Sequence, residues 1–221
     1  MDGFDYSSSP IAVRDDILES HRTAWALLAE PGTWFTGVER LAIAARARTM
    51  FAARATPPWA RTTEPAAGIS EATAEVVDLV SLDAGSIDRA KADAAIAAIG
   101  EGPYVELIGI VAVTVMVDVF AEAMGLDPEP FPEPIDGEPA RTEPDGLGDI
   151  GAHVRALDPF PAANVARALS LVPDANTLFR TVSVPAYSSP GFADLQWETP
   201  LSRPQVELVA SRVAALNECF Y

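Results

Sequence analysis

Apolar residues recur at helical spacing along most of the chain, and this pattern predicts a protein built from helices. Ile17, Leu18, Trp25 and Leu28 can share one face of a helix over residues 15–30, before Pro31 and Gly32 end it. Further helices are predicted over 36–51, 70–80, 86–99, 105–124, 162–171 and 176–184, and from Ser202 onward. No convincing run of alternating apolar and polar residues is visible, so the predicted fold class is all-α.

Capping patterns set the expected starts of three of these helices. Thr36 and Glu39 form a capping-box pattern at the start of the second helix. Ser70 is the expected cap of the third helix, and Ser86, with Asp88 in the first turn, is the expected cap of the fourth.

Composition divides the chain into four segments. Residues 1–13 are predicted to form a loose tail, and residues 14–126 a first helical unit. Residues 127–151 are crowded with Pro, Asp, Glu and Gly and lack apolar periodicity, which is typical of a linker or a long surface loop. Residues 152–221 form the second predicted helical unit.

The stretch from Val105 to Met124 is the most apolar in the chain. Three acids interrupt it, namely Glu106, Asp118 and Glu122, and a membrane span seldom tolerates so many. We therefore expect a buried core helix and no membrane association.

A short repeat occurs at an offset of 101 residues. The segment Pro103–Leu107 matches Pro204–Leu208 at proline, valine, glutamate and leucine, and Asp118 then falls opposite Cys219. We interpret the match as a duplication of one helical unit. The first copy lacks the thiol, so its expected role is structural.

Composition also excludes several classes of function. The 221 residues carry a formal charge of −17, which argues against nucleic acid and anionic membranes as partners. No signal peptide is visible, and the single cysteine fits a reducing cytoplasm. His21 and His153 have no further ligand at metal spacing, and no cofactor motif occurs, so neither a metal nor a cofactor is predicted.

The candidate chemistry lies in the last segment of the chain. Ser202 and Gln205 predict a capped helix whose apolar stripe faces a core, with Glu207 beside that stripe. A carboxylate there tends towards a raised pKa and can exchange protons. Asn217 should end the helix, leaving Cys219 to open the next one, where a helix N-terminus would activate its thiol. Two plainer interpretations stay open: Glu207 as a first-turn acid paired with a nearby arginine, and Cys219 as a small apolar residue.

Eleven residues separate Glu207 from Cys219, and the chain continues as Phe220 and Tyr221. This segment resembles the active site of the alkylhydroperoxidase D-like family, also called carboxymuconolactone decarboxylase-like, whose redox members carry Glu, eleven residues, Cys-x-x-Cys, three residues and His. The resemblance implies an AhpD-like helical bundle with two related repeats. It also implies that Glu207 belongs to a proton relay and that Cys219 is the first cysteine of the pair.

The resemblance further implies a homo-oligomeric thiol peroxidase, an antioxidant enzyme that takes a hydroperoxide and a thiol reductant. The second cysteine and the histidine have no counterpart within the 221 residues, so we expect little or no peroxidase turnover from them. One hypothesis is an in-frame UGA codon after position 221 that encodes selenocysteine. The alternatives are a carboxymuconolactone decarboxylase-type enzyme and a catalytically inactive helical protein that serves in oligomerisation or binding.

Overall fold

The computed structural model describes residues 4–61, 67–161, 164–187 and 201–217, and this part of the chain is all-α. Its eight α-helices are α1 (Asp15–Ala29), α2 (Gly37–Ala52), α3 (Glu71–Asp83), α4 (Arg89–Ile99), α5 (Glu101–Ala123), α6 (Asn164–Arg167), α7 (Pro173–Tyr187) and α8 (Arg203–Leu216). Short 3-10 turns lie at Ala53–Ala55, Pro58–Ala60 and Ala84–Ser86. A small antiparallel pair joins β1 (Leu147–Gly148) to β2 (Ala156–Leu157).

The starts of α2 and α3 agree with the predicted caps, and the start of α4 does not. The capping box of Thr36 and Glu39 is present at α2, and the Ser70 hydroxyl accepts a hydrogen bond from the Thr73 N–H at α3. The prediction that Ser86 caps α4 is wrong. Asp88 takes that position and accepts from the Lys91 N–H, whereas Ser86 ends the preceding 3-10 turn.

Helix α5 forms the centre of the bundle and packs against α2, α3, α4 and α7. Gly100 adopts a φ of 95°, a conformation that glycine tolerates best, and this lets α5 begin directly after α4. By length and composition α5 could cross a membrane, but the larger part of its most apolar window is buried in the bundle. The prediction of a buried core helix is confirmed.

The two predicted helical units share one core. Leu178 and Val182 of α7 lie in the same apolar cluster as Leu107 and Ile110 of α5. The acidic segment between the units follows the bundle surface, where the Arg141 N–H donates to the Thr33 carbonyl at 2.7 Å.

The N-terminal segment is also part of this core. The composition predicts a loose tail over residues 1–13, whereas Phe4 and Tyr6 are buried. The Phe4 ring packs edge-on against Trp25, and the Tyr6 ring contacts Phe120. Aromatic side chains bury large apolar areas, which explains why a polar-looking segment is fixed on the bundle.

Helix α8 differs from the other long helices because none of its residues is buried. Val209, Val213 and Leu216 of its apolar stripe are 58%, 51% and 65% exposed. The expectation that this stripe faces a core is therefore wrong within the described part of the chain.

Candidate functional site

Helix α8 begins as the sequence predicts. The Ser202 N–H donates to the Gln205 side-chain oxygen at 2.8 Å, and Pro204 lies in the first turn, where its missing N–H costs no hydrogen bond. The Asn217 N–H caps the other end by donating to the Val213 carbonyl. The predicted end of the helix at Asn217 is confirmed.

Glu207 lies in the second turn of α8 and has two polar neighbours. The Tyr187 hydroxyl, at the end of α7, donates to Glu207 Oε2 at 3.0 Å. Arg203 Nε lies 3.6 Å from Glu207 Oε1, one helical turn earlier. The Glu207 side chain is 42% exposed, so the surroundings are polar and wet. The pairing with a nearby arginine, which the sequence left open, is thus present.

Tyr187 is the new member of this cluster. Burial raises the pKa of Tyr187, and the hydrogen bond to Glu207 raises it further, because the carboxylate disfavours a phenolate beside it. Tyr187 therefore holds its proton and acts as a donor to Glu207. Its twenty-residue separation from Glu207 hides this contact from any helix-periodicity argument.

Cys219 lies outside the described residues, so the structure does not show its distance to Glu207. The described part of α8 gives one relevant length. Leu216 lies nine positions after Glu207, and a rise of 1.5 Å per residue places the two about 14 Å apart along the axis. At that separation a proton can pass between Glu207 and the end of α8 only through an intervening group.

The repeat counterpart of Glu207 is Glu106 in α5, and it sits in a dry site. Glu106 Oε1 accepts from Arg40 Nη1 of α2 at 2.9 Å, and Oε2 accepts from the Trp34 backbone N–H at 2.6 Å. The side chains of Arg40 and Glu106 are only 4% and 1% exposed. Arg40 also donates to the Leu27 carbonyl, so the guanidinium joins α1, α2 and α5.

Gly32 is required beside this ion pair. A Cβ atom at Gly32 would overlap with Arg40 Nη1 and Glu106 Oε1, so only glycine allows the loop to approach so closely. Next to it, the Thr33 hydroxyl donates to Asp174 in the first turn of α7 at 2.8 Å. The loop between α1 and α2 is thereby fixed to both α5 and α7.

Burial raises the pKa of Glu106, while the Arg40 guanidinium and the Trp34 N–H oppose the shift. Each Glu106 oxygen already has a donor, so this carboxylate is positioned to hold the fold together. That placement agrees with the structural role expected for the first copy. Sequence reasoning did not find Arg40, because the partners lie 66 residues apart on helices whose packing no local pattern specifies.

Asp118, the repeat counterpart of Cys219, is likewise paired. Arg48 of α2 binds Asp118 with two hydrogen bonds of 2.8 Å. Two arginines of α2 therefore neutralise two of the three acids that interrupt the apolar sequence of α5. The third acid, Glu122, lies at the exposed end of the helix, 3.9 Å from Arg54.

A second cluster contains His21, which is buried in α1. The Tyr6 hydroxyl lies 2.7 Å from His21 Nδ1, and Phe4 and Phe120 pack against the imidazole. Burial lowers the pKa of His21 to about 4, so the ring is neutral at pH 7. His153 is exposed. Within residues 4–61, 67–161, 164–187 and 201–217, no group of three or more His, Cys, Asp or Glu side chains could hold a metal ion.

We compared the chain with protein families, curated proteins and solved structures. No family model, no curated protein and no solved structure matches the chain.

Proposed function

We propose that this chain is a thiol-based redox protein related to the alkylhydroperoxidase D-like family, with Cys219 as its thiol and Glu207 as an acid that moves protons. The proposal rests on the resemblance of the segment from Glu207 to Cys219. One structural observation supports it. Glu207 lies on α8, the helix that ends at Asn217, two positions before Cys219, and its carboxylate accepts a hydrogen bond from the protonated phenol of Tyr187.

In the proposed reaction the Cys219 thiolate attacks one oxygen of a hydroperoxide. The O–O bond breaks, the sulfur becomes a sulfenic acid, and the departing alkoxide takes a proton to give an alcohol. To complete a cycle, a neighbouring thiol must condense with the sulfenic acid, releasing water and forming a disulfide that a reductant then reduces. Since the 221 residues contain one cysteine, no second thiol within them can carry out this step.

The test is to treat the full chain with cumene hydroperoxide and trap the sulfenic acid with dimedone. We expect stoichiometric labelling at Cys219 by peptide mass spectrometry, and little turnover when dithiothreitol is added. Glu207→Gln should slow labelling by about 10- to 100-fold if the carboxylate moves a proton in the rate-limiting step.

Two variants separate this chemistry from ordinary oxidation of an exposed thiol. Cys219→Ser must abolish labelling, and Glu71→Gln, an exposed first-turn acid of α3, must leave the rate unchanged. If Glu207→Gln reacts as fast as Glu71→Gln, Glu207 has no part in the reaction. If dithiothreitol supports turnover that Cys219→Ser removes, the expectation of little turnover is wrong.

A second candidate function is favoured by the exposed stripe of α8. We propose that Val209, Val213 and Leu216 pack against a second copy of this chain. Helix α5 is the repeat counterpart of α8, and α2 and α7 cover the apolar residues of α5. The apolar stripe of α8 has no buried residue. Apolar side chains clustered on one helix face are typical of an interaction surface.

Sedimentation analysis of Val213→Glu tests this association. The wild-type chain should form a discrete oligomer, and Val213→Glu should dissociate it because a charge cannot be buried in an apolar contact. Ser211→Glu introduces the same charge on the opposite face of α8 and should leave the oligomer intact. A monomeric wild-type chain, or equal effects of both variants, would contradict the proposal.

A further inference from the structure

A cavity of about 270 Å³ lies between the N-terminal segment and helices α1, α5 and α7. Its walls are mostly apolar and include Ile17, Met116, Phe120, Met124 and Val182. An apolar cavity of about 150 Å³ holds a benzene molecule. By simple scaling, this one could hold a molecule of roughly eleven non-hydrogen atoms.

His21 supplies a polar group in this wall. The residue is 2% exposed, its ring lines the cavity, and its Nδ1 is engaged by the Tyr6 hydroxyl at 2.7 Å. Within the described part of the chain, no hydrogen bond to His21 Nε2 is formed. Nε2 is not one of the fully buried polar atoms that lack a partner, so water in the cavity can reach it, and a ligand that displaces this water must offer an acceptor in its place.

The tautomer of His21 follows from counting hydrogen bonds. Burial raises the pKa of Tyr6 and lowers that of His21 to about 4, so both groups are neutral at pH 7. If Nδ1 donated to Tyr6, both the phenolic proton and Nε2 would lack a partner among the described residues. If Tyr6 donates to Nδ1, only the Nε2–H lacks one. The second arrangement is favoured, and it makes Nε2–H a donor without an acceptor.

Charge at the mouth of the cavity argues for a neutral ligand. Arg14 borders the cavity, but its guanidinium donates twice to Asp16 at 2.9 Å and once to the Pro185 carbonyl at 2.7 Å. An anion would therefore have to compete with Asp16, and it would approach a chain whose formal charge is −17. The exposed side chain of Ile11, which also lines the cavity, extends the apolar surface to the entrance.

We propose that this cavity is a binding site for a small neutral apolar molecule that carries one carbonyl oxygen, with His21 Nε2–H as the donor to that oxygen. The apolar walls accept the hydrocarbon part of the ligand, and the single donor fixes its orientation. This combination of an apolar lining with a few placed polar groups is usual for small-molecule sites. The site involves neither Glu207 nor Cys219, so it does not depend on the proposed redox function.

Acetophenone and cumene are a pair of probes matched in size, because they have the same number of non-hydrogen atoms and acetophenone carries a carbonyl oxygen where cumene carries a methyl group. The methyl groups of the methionines report binding by NMR in the full chain. Met116 and Met124 line the cavity, whereas Met50 is buried elsewhere and serves as an internal control.

Acetophenone should shift the Met116 and Met124 signals saturably and leave Met50 unchanged. It should bind about three- to tenfold more tightly than cumene, which is the effect of one hydrogen bond. In His21→Phe the two probes should bind equally. Ala186→Phe, at an exposed position on the cavity rim, should block both probes without disturbing the core.

Three results would overturn the proposal. The first is no saturable shift of Met116 and Met124 up to the solubility limit of acetophenone. The second is equal affinity of the two probes for the wild-type chain, which would show that His21 donates no hydrogen bond. The third is unchanged binding in Ala186→Phe, which would place the probes outside this cavity.

Discussion

Glu106 and Glu207 occupy the same position in two copies of one short motif, but Glu106 is buried and Glu207 is partly exposed. Glu106 is enclosed between α1, α2 and α5 with a donor on each oxygen. Glu207 lies on α8, half exposed, beside Tyr187 and Arg203. Neighbouring residues follow the same division: Leu107 is 0% exposed, and its counterpart Leu208 is 72% exposed.

This difference shows that burial, and not the local motif, decides what a carboxylate can do. In a dry site a charge must be fully paired, and it then becomes a fixed structural element. At a wet site the same carboxylate keeps exchangeable neighbours, and its contribution to stability is small. In this molecule both oxygens of Glu106 are occupied by fixed donors, whereas Glu207 keeps an exposed side that other groups can reach.

The largest expected loss of stability comes from removing the charge of Glu106, and the same change at Glu207 is its control. Glu106→Gln leaves the buried Arg40 guanidinium without a counter-charge and should cost about 3–5 kcal/mol of unfolding free energy. Glu207→Gln, at the exposed site, should cost less than about 1 kcal/mol. Urea unfolding of both variants measures the difference.

A double variant identifies the cause of that loss. Arg40→Met with Glu106→Met removes both charges together and should recover most of the stability, because an apolar pair of similar size fits a dry site. Equal stability of Glu106→Gln and Glu207→Gln would contradict the comparison. A double variant no better than Glu106→Gln would show that packing, and not the unpaired charge, causes the loss.

The next effect concerns the leucines that follow these acids. Leu107→Ala should cost about 2–5 kcal/mol, because it opens a cavity in the core of α5. Leu208→Ala should change stability by about 0.5 kcal/mol or less, as expected of a surface substitution. If thermal unfolding instead shows a large loss for Leu208→Ala, α8 is covered in solution.

Local features of this fold were accessible from the sequence, and the long-range ones were not. The caps at Thr36 and Ser70 and the end of α8 at Asn217 depend on neighbouring residues, so a single sequence reveals them. Periodicity located α5 but did not reveal that Arg40 and Arg48 pair with its acids. The apolar stripe of α8 predicted a buried face, because periodicity shows that a face is apolar and not whether another element covers it.

Of the candidate site, the sequence pointed to Glu207 and left open its pairing with a nearby arginine of the same helix, which the structure shows to be Arg203. Tyr187 comes from another helix, and Tyr6 meets His21 through the packing of a segment expected to be loose. These contacts arise from tertiary structure, for which the chain carries no short-range signal. Cys219 lies outside the described residues, so its role stays a prediction.

Acid should weaken the part of the core that surrounds His21. The pKa of His21 is about 4 in the folded chain against an ordinary 6.5, so between these values only the unfolded chain takes up the proton. Stability should therefore fall as pH drops from about 6.5 to about 4, by up to roughly 3 kcal/mol, and this contribution is constant below that window.

His21→Phe should remove this part of the pH dependence, and His153→Phe, at an exposed position, should retain it. Glu106 contributes with the opposite sign, because a raised folded-state pKa favours folding on the acid side. The informative quantity is thus the difference between wild type and His21→Phe, in which Glu106 cancels. If wild type and His21→Phe lose stability equally as the pH falls, His21 has the same pKa in the folded and the unfolded chain.

The smallest expected effect is the response of Tyr187 to its neighbour. The Glu207 carboxylate helps to raise the pKa of Tyr187, so Glu207→Gln should lower that pKa, while Glu106→Gln should not change it. NMR titration of labelled tyrosines can follow Tyr187 separately from buried Tyr6 and Tyr104. If the pKa of Tyr187 is the same in wild type and Glu207→Gln, the hydrogen bond between α7 and α8 does not persist in solution. Glu207 would then lose its phenolic donor, and the proposed role of Glu207 in moving protons would lose its structural support.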